Sequence, residues 1–129
     1  MKVTFLGTGT STGIPTIGVK RESCLSSDKR DNRLRSSILI EYKSKSILID
    51  CGPDFRQQML RINKTKIDAI FFTHEHADHT AGLDDIRPIS FHYGKIPIYA
   101  HKRVVDNLKN RFDYLFDKKG DYPGSPHVY

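Results

Sequence analysis

Ala69-Ile70-Phe71-Phe72-Thr73-His74-Glu75-His76-Ala77-Asp78-His79-Thr80-Ala81-Gly82-Leu83 is the stretch that decides how this chain is read. It starts as an apolar run of strand length and ends in His-Glu-His-Ala-Asp-His, which holds three of the chain's six histidines and a carboxylate. Imidazole nitrogens and carboxylate oxygens at this density suit borderline divalent metals, zinc first, with manganese or iron behind it. If the backbone stays extended as it leaves the strand, side chains two apart share a side. His74 and His76 then project together and Glu75 points away, while Asp78 and His79 fall at the turn into the next helix. One metal on His74 and His76 and a second on Asp78 and His79 is sterically reasonable. Two ions roughly 3.5–4 Å apart can share a bridging hydroxide and clamp the oxygens of a scissile group. The bland alternative, a solvated polar loop, fits four such ligands in six residues poorly.

Working upstream, Ser37–Tyr42 and Ser46–Asp50 are two β-rich runs joined at Lys43-Ser44-Lys45, the pattern of a hairpin. Lys2–Leu6 reads as an opening strand, and Gly7–Gly13 as a loop. That loop does not match the dinucleotide fingerprint, because Thr12 stands where GxGxxG needs glycine and Pro15 bars a long following helix. Lys20–Ser36 reads as an exposed polar excursion. Pro53 and Asp54 suit the first turn of a short helix reaching about Ile62. Downstream, Thr80–Ile86 reads as helix stopped by Pro88, and Ile96–Ala100 as a strand with Pro97 marking an edge or entry. Val104, Val105, Leu108 and Phe112 give Lys102–Phe112 a helical spacing. From Asp113 the pattern dissolves, yet Pro126–Tyr129 resembles the start of another strand. The class is therefore α/β or α+β with a mixed sheet.

At 129 residues the chain has room for one small core. It holds no apolar run of membrane-spanning length, and the N-terminus is too weakly apolar for a signal peptide. Two cysteines, Cys24 and Cys51, make no disulfide framework, so a cytoplasmic setting is expected. The net charge of +6 is unevenly spread. Asp68, Glu75, Asp78, Asp84 and Asp85 sit between Ile67 and Ile86 with no Lys or Arg, while basic residues gather in Lys20–Arg35 and Lys102–Lys119. An acidic pocket ringed by positive charge suits bound cations and an anionic substrate.

Phe72–Leu83 resembles the HxHxDH signature of the metallo-β-lactamase fold hydrolases, and Leu48-Ile49-Asp50-Cys51-Gly52 is similar to that superfamily's earlier aspartate motif. Phe5-Leu6-Gly7-Thr8-Gly9-Thr10 and Gly82–Pro88 resemble the branch of PhnP-type cyclic phosphodiesterases and, more distantly, the tRNA 3′-end endonucleases called RNase Z. The resemblance implies a four-layer αββα sandwich and two divalent metals on His74, His76, Asp78 and His79, with Asp50 and Asp78 as the catalytic carboxylates. Asp50 would orient the metal loop from behind. It also implies further ligands in the second half of a fold about twice this length. The whole chain, residues 1–129, then corresponds to an N-terminal half, with weak metal binding and negligible turnover on its own. His92 reads as a cleft residue in an aromatic loop, His101 as a helix cap or surface residue, and His127 as a poor ligand candidate. The branch's Cys-x-Cys-x-x-Cys zinc site falls on Val19, Arg21 and Cys24, and one thiolate cannot hold that ion.

The leading expectation is a phosphodiesterase acting on a small or cyclic phosphodiester through a metal-bound hydroxide. An RNase Z-type endonuclease is the nearest rival, and the rival from another class is a non-catalytic module that holds nucleic acid through its basic segments and a structural ion in the histidine cluster. β-Lactam hydrolysis is disfavoured, since it goes with secretion. Half of a sandwich would bare one sheet face, so pairing with a second copy is also expected.

Overall fold

The computed structural model describes residues 1–116 and 128–129. Five strands form one sheet in the order β1 (Lys2–Gly7), β2 (Ser37–Tyr42), β3 (Lys45–Ile49), β4 (Ala69–Phe72) and β5 (Ile98–Ala100). The β1/β2 and β2/β3 pairs are antiparallel, and β3/β4 and β4/β5 are parallel. The sheet is mixed, as the sequence pattern implied. Lys43, at φ +52, makes the tight β2–β3 turn, because hairpin turns matched to strand twist need a positive φ at their first central residue.

Helices fill the parallel crossovers. Helix α1 (Glu22–Leu25) lies in the polar segment after β1, and α2 (Phe55–Arg61) joins β3 to β4. Then α3 (Ala77–Thr80), a 3₁₀ turn (Leu83–Ile86) and α4 (Arg87–Tyr93) join β4 to β5, and α5 (Lys102–Arg111) and α6 (Asp113–Phe116) follow. Leu6, Leu39, Leu48, Ile70 and Phe72 from one sheet face pack with Phe55, Leu83, Ile86, Val104 and Leu108, all at most 5% exposed. The opposite face is also apolar. Register aligns Phe5, Ile38, Ile49, Phe71 and Tyr99 in a row across all five strands. Phe5 is 64% and Tyr99 51% exposed, and the Phe71 and Tyr99 rings stack at 4.7 Å. A sheet apolar on both faces is built for cover on both, as in a two-sheet sandwich.

Three expectations need correction. Pro88 does not stop a helix but sits in the first turn of α4, where its missing N–H costs nothing, and the chain instead breaks at Gly82. His92 accordingly lies in α4 and not in a loop. The Lys20–Ser36 excursion is exposed or half-buried throughout, as expected, and within it the chain forms α1 and folds back as bridges from Arg33 to Ile14 and from Arg35 to Gly9. Glycine permits that approach: a Cβ on Gly7 would lie 1.9 Å from the Arg35 carbonyl oxygen. Finally, order continues past Asp113 into α6, which buries Leu115. The strand-like ending is partly realised, since Val128 bridges Ile96 in parallel and the Tyr129 carbonyl accepts from the Ile98 N–H. His127 lies outside the described residues. No helix among them is long and apolar enough to cross a membrane.

Candidate metal centre

Strand β4 ends at Phe72, and the next seven residues carry the cluster. His76 caps α3 through its extended backbone, with no cap bond from its ring. The rings of His74 and His76 meet edge-on at 4.7 Å, and those of His74 and His79 lie 4.0 Å apart. Glu75 points the other way, where its carboxylate accepts from Arg103 of α5 at 3.2 Å. The alternation expected from an extended exit is thus present. Asp78 joins the inner side, its Oδ2 being 3.2 Å from His79 Nε2.

Asp50, 4% exposed, organises this side from the adjacent strand end. Its φ of 61 places it in the left-handed region, which aspartate tolerates better than most side chains. One carboxylate oxygen accepts from the Thr73 backbone N–H at 2.8 Å. The other accepts from the Thr73 hydroxyl at 2.8 Å and from His79 Nδ1 at 2.7 Å. A buried carboxylate without such donors would cost several kcal/mol, so these bonds both satisfy it and fix what it touches. The main chain locks the same junction. Cys51 N–H donates to the His79 carbonyl, and Gly82 N–H donates to the Cys51 carbonyl. Gly52 must be glycine, because a Cβ there would stand 2.1 Å from the Asp78 carbonyl oxygen. Burial raises the Cys51 thiol well above its ordinary pKa, with Asp85 and Asp50 adding to the effect, so Cys51 is a packing group.

The outer side is strapped by α5. Arg111 donates to the Glu75 carbonyl at 2.9 Å and to the Thr80 hydroxyl at 3.1 Å, and that hydroxyl donates to the His76 carbonyl. Glu75 is held below the usual carboxylate range by its own backbone N–H first and by Arg103.

The donor chemistry fits a divalent cation. His79 Nδ1 faces Asp50 and its Nε2 stands 3.2 Å from the Asp78 carboxylate, so a ring nitrogen and a carboxylate oxygen, the ligand types a borderline divalent cation takes, lie side by side. Among the described residues, no three His, Cys, Asp or Glu side chains surround one common point, so the donors are gathered without forming a closed cage. The structure brings His74, His76, Asp78, His79 and Asp50 together. It leaves His101 as the cap of α5, where its Nδ1 accepts from the Arg103 N–H, as the sequence suggested. His92 lines a different groove of about 720 Å³ between α2 and α4, which contains none of the cluster residues. Sequence reasoning missed Thr73 and Arg111. A hydroxyl next to the first histidine was a readable signal for Thr73, whereas nothing local marks Arg111, some thirty residues downstream.

Residues 45–128 match the model of the beta-lactamase superfamily domain. The chain is similar over 98% of its length to an octanoyltransferase of Porphyromonas gingivalis, with 46% identity, and to a ribonuclease Z of Methanococcus maripaludis, with 34%. It superposes on the crystal structure of a diphosphatase from the PhnP family with a TM-score of 0.85 and 50% identity over 88% of this chain. The chain spans 25% of that octanoyltransferase, 37% of that ribonuclease Z and 46% of that diphosphatase chain.

Proposed function

Because the chain belongs to the beta-lactamase superfamily, whose members are hydrolases, we propose that it carries part of a metal-dependent phosphodiesterase site for a small anionic or cyclic phosphodiester. One observation carries the reading: three imidazoles and Asp78 gather on the inner side of one loop, against a buried carboxylate that fixes their orientation. His74, His76, Asp78 and His79 would hold the cations, zinc first and manganese or iron as alternatives, and Asp50 would position the loop. Divalent ions in such a site supply Lewis acidity that activates water and offsets charge on phosphoryl oxygens. The 50% identity to a PhnP-family diphosphatase supports hydrolysis at phosphorus, while octanoyl transfer gains little from a match to a quarter of its namesake.

A second reading, RNA as the phosphodiester, is favoured by the similarity to ribonuclease Z along nearly the whole chain and by the basic segments. The test is a chimera in which this chain replaces its matching part of the PhnP-family diphosphatase. Zinc- or manganese-dependent release of p-nitrophenol from bis(p-nitrophenyl) phosphate, abolished by His79→Ala, is the expected result. A folded, metal-loaded chimera that leaves this ester intact but cleaves RNA would move the assignment to the second reading. Inactivity on both esters would refute it.

A further inference from the structure

We propose that Thr73 is a positioning residue that fixes which nitrogen of His74 is free. A threonine hydroxyl has one proton and two lone pairs. Here that proton has a committed acceptor, Asp50 Oδ2 at 2.8 Å, because a carboxylate has no proton to return. The second neighbour of the same oxygen, His74 Nδ1 at 3.0 Å, must then be the donor. His74 is thereby held as the Nδ1–H tautomer, with its Nε2 lone pair turned outward. His79 is held in the same tautomer directly, through Nδ1 at 2.7 Å from the same Asp50 oxygen.

One buried carboxylate thus sets two rings, His79 by contact and His74 through a hydroxyl relay. The two rings lie 4.0 Å apart, so their free nitrogens are set as a pair. Thr73 is itself exposed, and water competes for its hydroxyl. Its backbone N–H, donating to Asp50 Oδ1 at 2.8 Å, keeps the side chain on station. Valine would keep the shape and the backbone bond but break the relay, and serine would keep the relay. The purpose assigned to this device rests on the metal-site reading above, but the device itself does not.

The test is ¹⁵N NMR of the histidine rings in the metal-free chain at a pH where imidazoles are neutral, followed by Zn²⁺ titration. In the wild type, His74 and His79 both show the Nδ1–H pattern. Thr73→Val moves His74 to Nε2–H, leaves His79 unchanged and weakens Zn²⁺ binding about 10–100-fold, the range for loss of a group that orients a ligand. Thr73→Ser restores both readouts. The proposal is overturned by a wild-type His74 in the Nε2–H form, by a folded Thr73→Val chain whose His74 tautomer is unmoved, or by failure of serine to restore it. Normal tautomers with no Zn²⁺ binding at all would leave the relay standing and refute the metal-site reading instead.

Discussion

The two sides of the histidine loop are anchored by opposite means. On the inner side a single carboxylate, 4% exposed, takes three hydrogen bonds, and glycine lets the Asp50–Gly52 turn press main chain to main chain against Asp78 and His79. On the outer side, long and exposed arginine side chains reach from α5 to Glu75 and to the buried Thr80 hydroxyl. Bonds made away from water are stronger and costlier to break one-sidedly than the same bonds at a surface. The loop's geometry should therefore depend on the inner side, with the outer side trimming its motion.

Substitutions can break that comparison. The largest effect is expected at Gly52, where any Cβ collides with the Asp78 carbonyl oxygen and main chain must give way. Gly52→Ala should cost about 3 kcal/mol or more in urea unfolding, typical of forced overpacking. A cost below about 1 kcal/mol would mean that the junction is loose. Asp50→Ala comes next, at about 3 kcal/mol, because it strands the Thr73 N–H and the His79 Nδ1–H. Arg111→Ala should cost only about 1 kcal/mol, since water can replace the guanidinium at the Glu75 carbonyl and the buried Thr80 hydroxyl keeps its bond to the His76 carbonyl. Equal losses for Asp50→Ala and Arg111→Ala would erase the distinction between the two sides.

The smallest expected effect at neutral pH lies farther out, where the Tyr114 hydroxyl of α6 donates to Asp84 at 2.7 Å. Burial first and Asp84 second push its pKa up from 10.0 to about 12. Because the folded value is the raised one, the contribution is complete below pH 10 and is lost as pH climbs toward 12. Thermal melts should show stability falling over that window in the wild type, with a shallower fall in Tyr114→Phe. An unchanged slope would show that the hydroxyl contributes nothing.

How legible these parts were in the sequence follows from how local their causes are. His74, His76, Asp78 and His79 were readable because a strand exit dictates side-chain direction within a few residues. Asp50 was readable because a carboxylate at a strand end followed by glycine is a short pattern. Pro88 misled because the same ring can end one helix or begin the next, and Gly82 three residues after His79 decides which. The Lys20–Ser36 segment is solvated as its polarity implies, but its fold-back rests on main-chain bridges to Gly9 and Ile14, which leave no mark on side-chain polarity. Arg111 could not be read at all, since its partner is a backbone carbonyl far away in sequence.

The central claim is that this loop gathers donors for a divalent cation. Zn²⁺ titration of the purified chain, beside His74→Ala and His79→Ala, tests it most directly. The wild type should take up the ion, and each variant should bind about tenfold more weakly or worse. Identical binding curves for all three would contradict the account.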